Sequence, residues 1–267
     1  MSSNSACELL VERDAQSQGG IVTLTLNRPH KLNALTKGLW RQLGETVQSL
    51  DADDSVRCIV LRGAGEKAFS PGNDIGEFET ERSNVEQARA YGALMHGTLH
   101  ALRECRHPMV AMIHGICVGG GMEIACLCDI RICGEGSRFG APVSKLGLVM
   151  AHDEMAAVVA LVGRATALEM LLEARVFGAA EALQKGLVSR VVPDDKVAEE
   201  AMAAARRIAG GAPLVHRWHK KFARRLEDNR PLTAEERDEG FACYGTRDFE
   251  TGYHAFLAKT EPRFEGR

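Results

Sequence analysis

Residues 21–27 read IVTLTLN, apolar and polar nearly in turn, which is the period of a strand with one face buried. Arg28-Pro29 ends that run. Thr36 stands as an N-cap before the next amphipathic stretch and predicts a helix over Lys37–Ser49. Cys58–Arg62 (CIVLR) is a short apolar run closed by Gly63-Ala64-Gly65, so it predicts a buried strand. Ser83 and Glu86 have capping-box spacing and predict a helix reaching about Arg106. Pro108 introduces an apolar strand, Met109–Ile113. Three glycines at 119–121 lead into a helical stretch, Met122–Cys128, and Asp129–Cys133 reads as a further strand. Strand, loop and helix recur three times, which is α/β order.

After residue 150 the pattern turns helical. Met155–Val162, Thr166–Glu173, Ala179–Lys185, Val197–Ile208 and His216–Asp228 all carry helix periodicity, and Thr233 with Glu236 caps another. Only Leu187–Val192 looks extended. With no low-complexity linker and no exact repeat, one domain is expected. It has an α/β core over residues 1–195 and a helical region over 196–267 that belongs to it.

Composition changes little in this picture but narrows the partners. The chain has 267 residues, 45% hydrophobic and 26% charged, enough for a sizeable core. The net charge of -3 gives no electrostatic reason to expect nucleic acid or an anionic membrane as a partner. The start lacks a basic-then-apolar signal pattern, and the fully apolar run Met155–Val162 is too short to span a bilayer. A cytoplasmic protein is expected. Its eight cysteines are scattered, several within apolar stretches, as reduced buried thiols would be. Cys126 and Cys128 have no second pair at zinc spacing, so no metal is assigned.

The triple glycine is the first candidate for chemistry. Glycine lets a backbone approach a ligand or another chain segment, and the first N–H groups of a following helix lack internal partners. Such a loop is either a tight packing turn or a site for an anion or developing oxyanion. The GxGxxG, GxxxxGK[ST] and GxSxG patterns are absent. An oxyanion hole of main-chain donors remains, and it needs a second donor, for which Gly72-Asn73 is the natural source.

These two segments carry a resemblance. Ala68-Phe69-Ser70-Pro71-Gly72-Asn73-Asp74-Ile75 and Gly119-Gly120-Gly121-Met122-Glu123-Ile124-Ala125 resemble the two oxyanion loops of the crotonase (enoyl-CoA hydratase/isomerase) family. Asn27-Arg28-Pro29, Leu32-Asn33-Ala34-Leu35, Cys128-Asp129-Ile130, Phe139-Gly140, Leu146-Gly147 and Gly186-Leu187-Val188 extend the match from about residue 20 to the C-terminus. The resemblance implies a spiral of ββα units with a helical C-terminal region that forms trimers or dimers of trimers. It implies an acyl-CoA substrate, with coenzyme A as part of the substrate and no separate cofactor. It makes the N–H groups of Asn73 and Gly120 the donors to a thioester enolate. It also places coenzyme A along His30, Lys31, Asp74, Ile75 and Gly76, with Phe256 and Lys259 reaching it from a helix near the chain end. A solvated surface lysine is the alternative for Lys31 and for Lys259.

Family hydratases use two glutamates. Glu123 matches the first. An ungapped count from Phe139 puts Val143, which cannot transfer a proton, at the second. His152, Asp153 and Glu154 follow nearby, before an apolar helix. Asp153 is the candidate replacement acid, and a helix-start role is its alternative; His152 and Glu154 are left open. The expected activity is therefore a CoA-thioester lyase or isomerase of the enoyl-CoA hydratase/isomerase type, with standard two-glutamate hydration in doubt. The alternatives are decarboxylation of a malonyl-type CoA, with the Asn73 side chain binding the carboxylate, an aspartyl-ester hydrolase, and a non-catalytic acyl-CoA or RNA binder.

Overall fold

The computed structural model describes residues 7–15 and 20–267. Ten strands form two sheets. β1 (Leu9–Arg13), β2 (Ile21–Leu26), β3 (Cys58–Gly63), β5 (Met109–Ile113), β7 (Ile130–Gly134) and β10 (Arg190–Val192) make the larger one, in the order β1-β2-β3-β5-β7-β10. Only the β1–β2 pair in it is antiparallel. The smaller sheet orders β4 (Ala68–Ser70), β6 (Ile116–Val118), β8 (Arg138–Gly140) and β9 (Phe177–Gly178), with β4, β6 and β8 parallel.

Each turn of the chain feeds both sheets before a helix. β3 and β4 precede α2 (Phe78–Glu81) and α3 (Val85–Glu104); β5 and β6 precede α4 (Gly120–Cys126); β7 and β8 precede α5 (His152–Glu173). This is the expected ββα spiral. Sequence periodicity found the first strand of each unit and missed the second, because a three-residue strand shows no period. Leu9–Arg13 was missed as well: four of its five residues are half-buried or exposed, so it lacks a clear apolar face. Of the extended stretch expected at Leu187–Val192, only Arg190–Val192 is strand.

The larger sheet is buried on both faces. Val22, Leu24, Ile59, Leu61, Met109 and Ala111 face one core with α1 (Lys37–Asp51) and α3. Cys58, Val60, Val110, Met112 and Ile132 face a second core completed by Val197, Ala201, Ala204 and Ala205 of α7 (Val197–Ala209). Two-sided burial is why β3 and β5 read as continuous apolar runs. Each large aliphatic side chain so buried contributes about 1.5–3 kcal/mol. α7 lies past residue 195 and still covers the sheet. The rest of the chain follows as α6 (Ala179–Gln184) between β9 and β10, then α8 (Pro213–Arg225), α9 (Ala234–Asp238) and α10 (Arg247–Ala258).

The caps test the sequence reading directly. Thr36 Oγ1 accepts from Leu39 N at 3.0 Å, and Thr233 and Glu236 form the expected reciprocal box. The cap of α3 falls one residue later than expected, on Asn84, whose side chain accepts from Gln87 N at 2.9 Å. Asn and Ser cap equally well. The core decides between them, because this register buries Tyr91, Met95, Leu99 and Leu102. The two helical stretches expected around 155–173 meet as α5, whose backbone breaks at Gly163 (φ 75°, ψ 160°). By length and composition α5 is apolar enough to cross a membrane, which the eight-residue run in the sequence did not suggest.

Asn33 fastens the start of this frame. It is buried, with φ at 64°, a region Asn tolerates. Its Oδ1 accepts from Arg28 N at 3.1 Å, and its Nδ2 donates to Ala64 O (3.0 Å) and Ala68 O (2.8 Å). Asn33→Ala leaves these groups unpaired in a dry site and is expected to lower the unfolding free energy by about 3 kcal/mol. Urea denaturation checks this; a loss below about 1 kcal/mol would mean water replaces the amide.

Candidate active site

β4 and β6 lie side by side and parallel, so the chain leaves both at the same edge of the small sheet. The segments that follow, Pro71–Asp74 and Gly119–Gly121, are therefore neighbours. Their approach is close. A Cβ on Gly72, whose φ is 93°, would sit 2.7 Å from Gly120 N. A Cβ on Gly121 would sit 2.3 Å from Ser70 O. Neither position admits any residue but glycine without moving a backbone. The Gly119 N–H donates to Gly140 O at 2.9 Å, which fixes the turn into α4.

Asn73 is set by two further contacts. Leu35 N donates to Gly72 O (2.8 Å) and Asp74 N to Leu35 O (2.9 Å), a bridge that clamps the loop. Trp40 Nε1 donates to Asn73 Oδ1 at 2.6 Å. Trp40 is fully buried in α1, and its ring edge lies 3.2 Å from where a Cβ on Gly120 would be. One indole therefore touches both segments. The Asn73 side chain spends its acceptor on Trp40, and its Nδ2 points at Met95 Sδ, 3.7 Å away. Its acceptor is thus held by the scaffold.

Glu123 lies in α4, three residues after Gly120, and is 3% exposed. Its Oε2 is buried and has no hydrogen-bond partner among the described residues. Burial pushes its carboxyl up to about 8, and the negative charge of Glu154 pushes the same way, while the Arg82 cation opposes both. A carboxyl kept neutral near pH 7 in an apolar setting is a common property of proton-transferring residues.

The acidic start of α5 places another carboxylate within electrostatic reach of Glu123. Glu154 is well shielded; its Oε2 accepts from Ala151 N at 3.1 Å, and its Oε1 lies 3.1 Å from His96 Nε2. Asp153 points outward, 70% exposed at its side chain, with Oδ2 3.3 Å from His96 Nδ1. It is Glu154, not Asp153, whose charge reaches Glu123. Val143 is packed against the main core.

The other expected residues spread along the rim. His30, Lys31, Ile75 and Gly76 are exposed. Asp74 is drawn into the frame: burial alone would raise its carboxyl, but the Gly76 amide (3.0 Å) and Arg28 guanidinium (2.9 Å) hold it below its usual range. Phe256, 83% exposed on α10, and Lys259, the exposed residue that ends α10, are not buried against the site within one chain. Trp40, Arg82 and His96 were not found from sequence. No motif marks them, and Arg82 sits in a charged stretch that reads as solvated surface.

The enoyl-CoA hydratase/isomerase family profile matches residues 16–267. A Rhizobium meliloti protein named "Probable enoyl-CoA hydratase" is 37% identical over 97% of this chain and 98% of its own. The "Short-chain-enoyl-CoA hydratase" of Clostridium acetobutylicum is 31% identical over 91% and 94%. A crystal structure described as an enoyl-CoA hydratase/carnithine racemase from Magnetospirillum magneticum superposes with a TM-score of 0.95 at 46% identity, covering 98% of this chain and 97% of that one. The fold is that of the crotonases, proteins that act on acyl-CoA thioesters. Within that class, the chain belongs to the enoyl-CoA hydratase/isomerase family.

The buried carboxyl also has a cost that can be measured. Because its folded pKa is raised, the folded protein keeps a proton that the unfolded chain gives up above 4.5. The site's contribution to stability is complete below that value and declines as pH climbs to about 8, by about 1.4 kcal/mol per pH unit. Glu123→Gln should therefore gain on the wild type between about pH 5 and pH 8 in chemical denaturation. Parallel stability curves across that range would contradict a raised pKa.

Proposed function

We propose that the chain hydrates 2-enoyl-CoA thioesters, with the Asn73 and Gly120 N–H groups holding the thioester oxygen and Glu123 delivering the proton. The observation that carries this reading is Glu123, a buried carboxyl whose Oε2 has no partner among the described residues, three residues past the Gly120 amide. Water adds at C3 of the conjugated thioester while negative charge moves to the thioester oxygen. Two preorganised amides favour that enolate over the ground state, each by about 3–4 kcal/mol. The enolate is then protonated at C2 by the neutral Glu123 carboxyl. The attacking water must lose a proton, which Val143 cannot accept. In this reading Glu154, oriented by His96, takes it, so the second carboxylate comes from the start of α5 instead of position 143. The product is a 3-hydroxyacyl-CoA.

Coenzyme A is assigned to the exposed rim at His30, Lys31, Ile75 and Gly76, with Asp74 contributing through its backbone. Phe256 and Lys259 are assigned to the same ligand from α10. Exposed apolar side chains such as Leu172, Phe256 and Leu257 support a homotrimer or a dimer of trimers. A monomer in light scattering would exclude both assemblies.

Isomerisation is the competing reaction, favoured by Val143. It needs Glu123 ionised, to take a proton from C2 of a 3-enoyl-CoA and return it at C4. The two reactions have opposite pH limbs. With Glu123 as the acid, kcat/KM for hydration should fall as pH rises through about 8. A rising limb there, on a 3-enoyl substrate, would identify the isomerase instead. Glu123→Gln should lower hydration by about 10³-fold and Glu154→Gln by about 10²-fold, followed by loss of conjugated-thioester absorbance. Turnover retained within threefold in Glu123→Gln sinks the assignment.

A further inference from the structure

The chain carries a second polar group near Glu123, half-buried with one fully buried nitrogen, that the reaction above does not use. Arg82 follows α2 directly and folds inward, its backbone N–H closing on Phe78 O at 3.1 Å. Its guanidinium carbon lies 4.8 Å from the centre of the Tyr91 ring and 4.9 Å from that of Phe78. Two aromatic faces thus hold the group flat and dry. Its Nη1 is buried and has no hydrogen-bond partner among the described residues.

Of the carboxylates nearby in sequence, Glu77 and Glu81 are engaged elsewhere, and Glu79 and Glu86 are exposed to solvent. Glu81 pairs with Lys37 Nζ at 2.6 Å. Glu77 Oε2 accepts from Lys37 N (2.8 Å) and from Tyr91 Oη (3.2 Å). The Arg82 charge is felt at Glu123, yet no hydrogen bond or ion pair joins the two side chains among the described residues. A half-buried guanidinium with a buried, unpartnered Nη1 and a buried carboxyl with an unpartnered Oε2 therefore share one region without satisfying each other. Taking a guanidinium out of water is costly unless an anion meets it. Its fixed donors suit the two oxygens of a carboxylate.

We propose that Arg82 is a specificity residue that binds a carboxylate at the far end of the acyl chain, so that the preferred substrates are short dicarboxylic enoyl thioesters of coenzyme A. This rests on the hydratase reading and adds the class of acyl group. One end of the substrate is then held by the Asn73 and Gly120 amides and the other by Arg82, with the double bond beside Glu123. Tyr91 and Phe78 keep the guanidinium in plane and exclude water from the ion pair.

The test compares pent-2-enoyl-CoA with its terminally carboxylated counterpart, glutaconyl-CoA, on the full chain. Wild-type kcat/KM should favour the carboxylated substrate by at least about tenfold. That ratio should fall by about 30-fold or more in Arg82→Gln and recover in part in Arg82→Lys. A wild-type preference for the neutral substrate, or a ratio unmoved by Arg82→Gln, overturns the proposal. Calorimetric binding of glutaryl-CoA against pentanoyl-CoA to the wild type gives a readout that needs neither turnover nor a folded variant. Tighter binding of glutaryl-CoA supports the proposal, and equal binding overturns it. If neutral enoyl-CoA is hydrated well and the carboxylate adds nothing, only the role of Arg82 fails. If no CoA thioester is bound or turned over, the hydratase reading fails with it.

Discussion

The close approach of two backbone segments, Gly72 to Gly120 and Ser70 to Gly121, is the constraint on which the site depends. Both contacts are too tight for any Cβ. They arise because β4 and β6 are adjacent parallel strands, spaced by backbone hydrogen bonding, that release their chains at one edge. Trp40 locks the arrangement from the side, through its ring against Gly120 and its indole N–H on Asn73. Thr98 Oγ1 donates to Trp40 O at 2.8 Å, so α3 holds α1 in place in turn. The positions of the Asn73 and Gly120 amides are thereby set by the folded core before any ligand arrives, which is the condition for preorganised donors to be worth more than water.

Around those amides the chain carries several electrostatic costs together. Most of its ion pairs are at least partly solvated and contribute little. Near the amides, Glu123 is buried with an Oε2 that has no partner among the described residues, Glu154 adds a like charge, and Arg82 presents a cation against two aromatic rings. Only Glu154 has its own support, from His96 and the Ala151 amide. Such groups destabilise the fold, and a site that must move protons or bind charge is where a protein carries them.

Apart from its edge strand β1, the larger sheet and its covering helices were legible in the sequence because each depends on nearest neighbours along the chain. A strand buried on both faces is an apolar run, as at Cys58–Arg62, and a capped amphipathic helix announces itself, as at Thr36 and Thr233. The smaller sheet was not legible. Ala68–Ser70, Ile116–Val118 and Arg138–Gly140 are three residues each, and what makes them strands is the partner beside them. The same limit shifted the cap of α3, where Ser83 and Asn84 both carry acceptable chemistry and only the buried face of the helix distinguishes them.

By itself the sequence determined the α/β order, the family, the two glycine-bearing segments and Glu123, because each is written in residue types at fixed spacing. Only the tertiary structure decided what surrounds them. It brought Glu154 rather than Asp153 within electrostatic reach of Glu123, turned the Asn73 side chain onto Trp40, and laid the Arg82 guanidinium against Phe78 and Tyr91. These pairings join residues from 4 to 33 positions apart in the chain, and their energies depend on distance and desolvation. Neither quantity exists until the sheets have paired and the helices have closed over them.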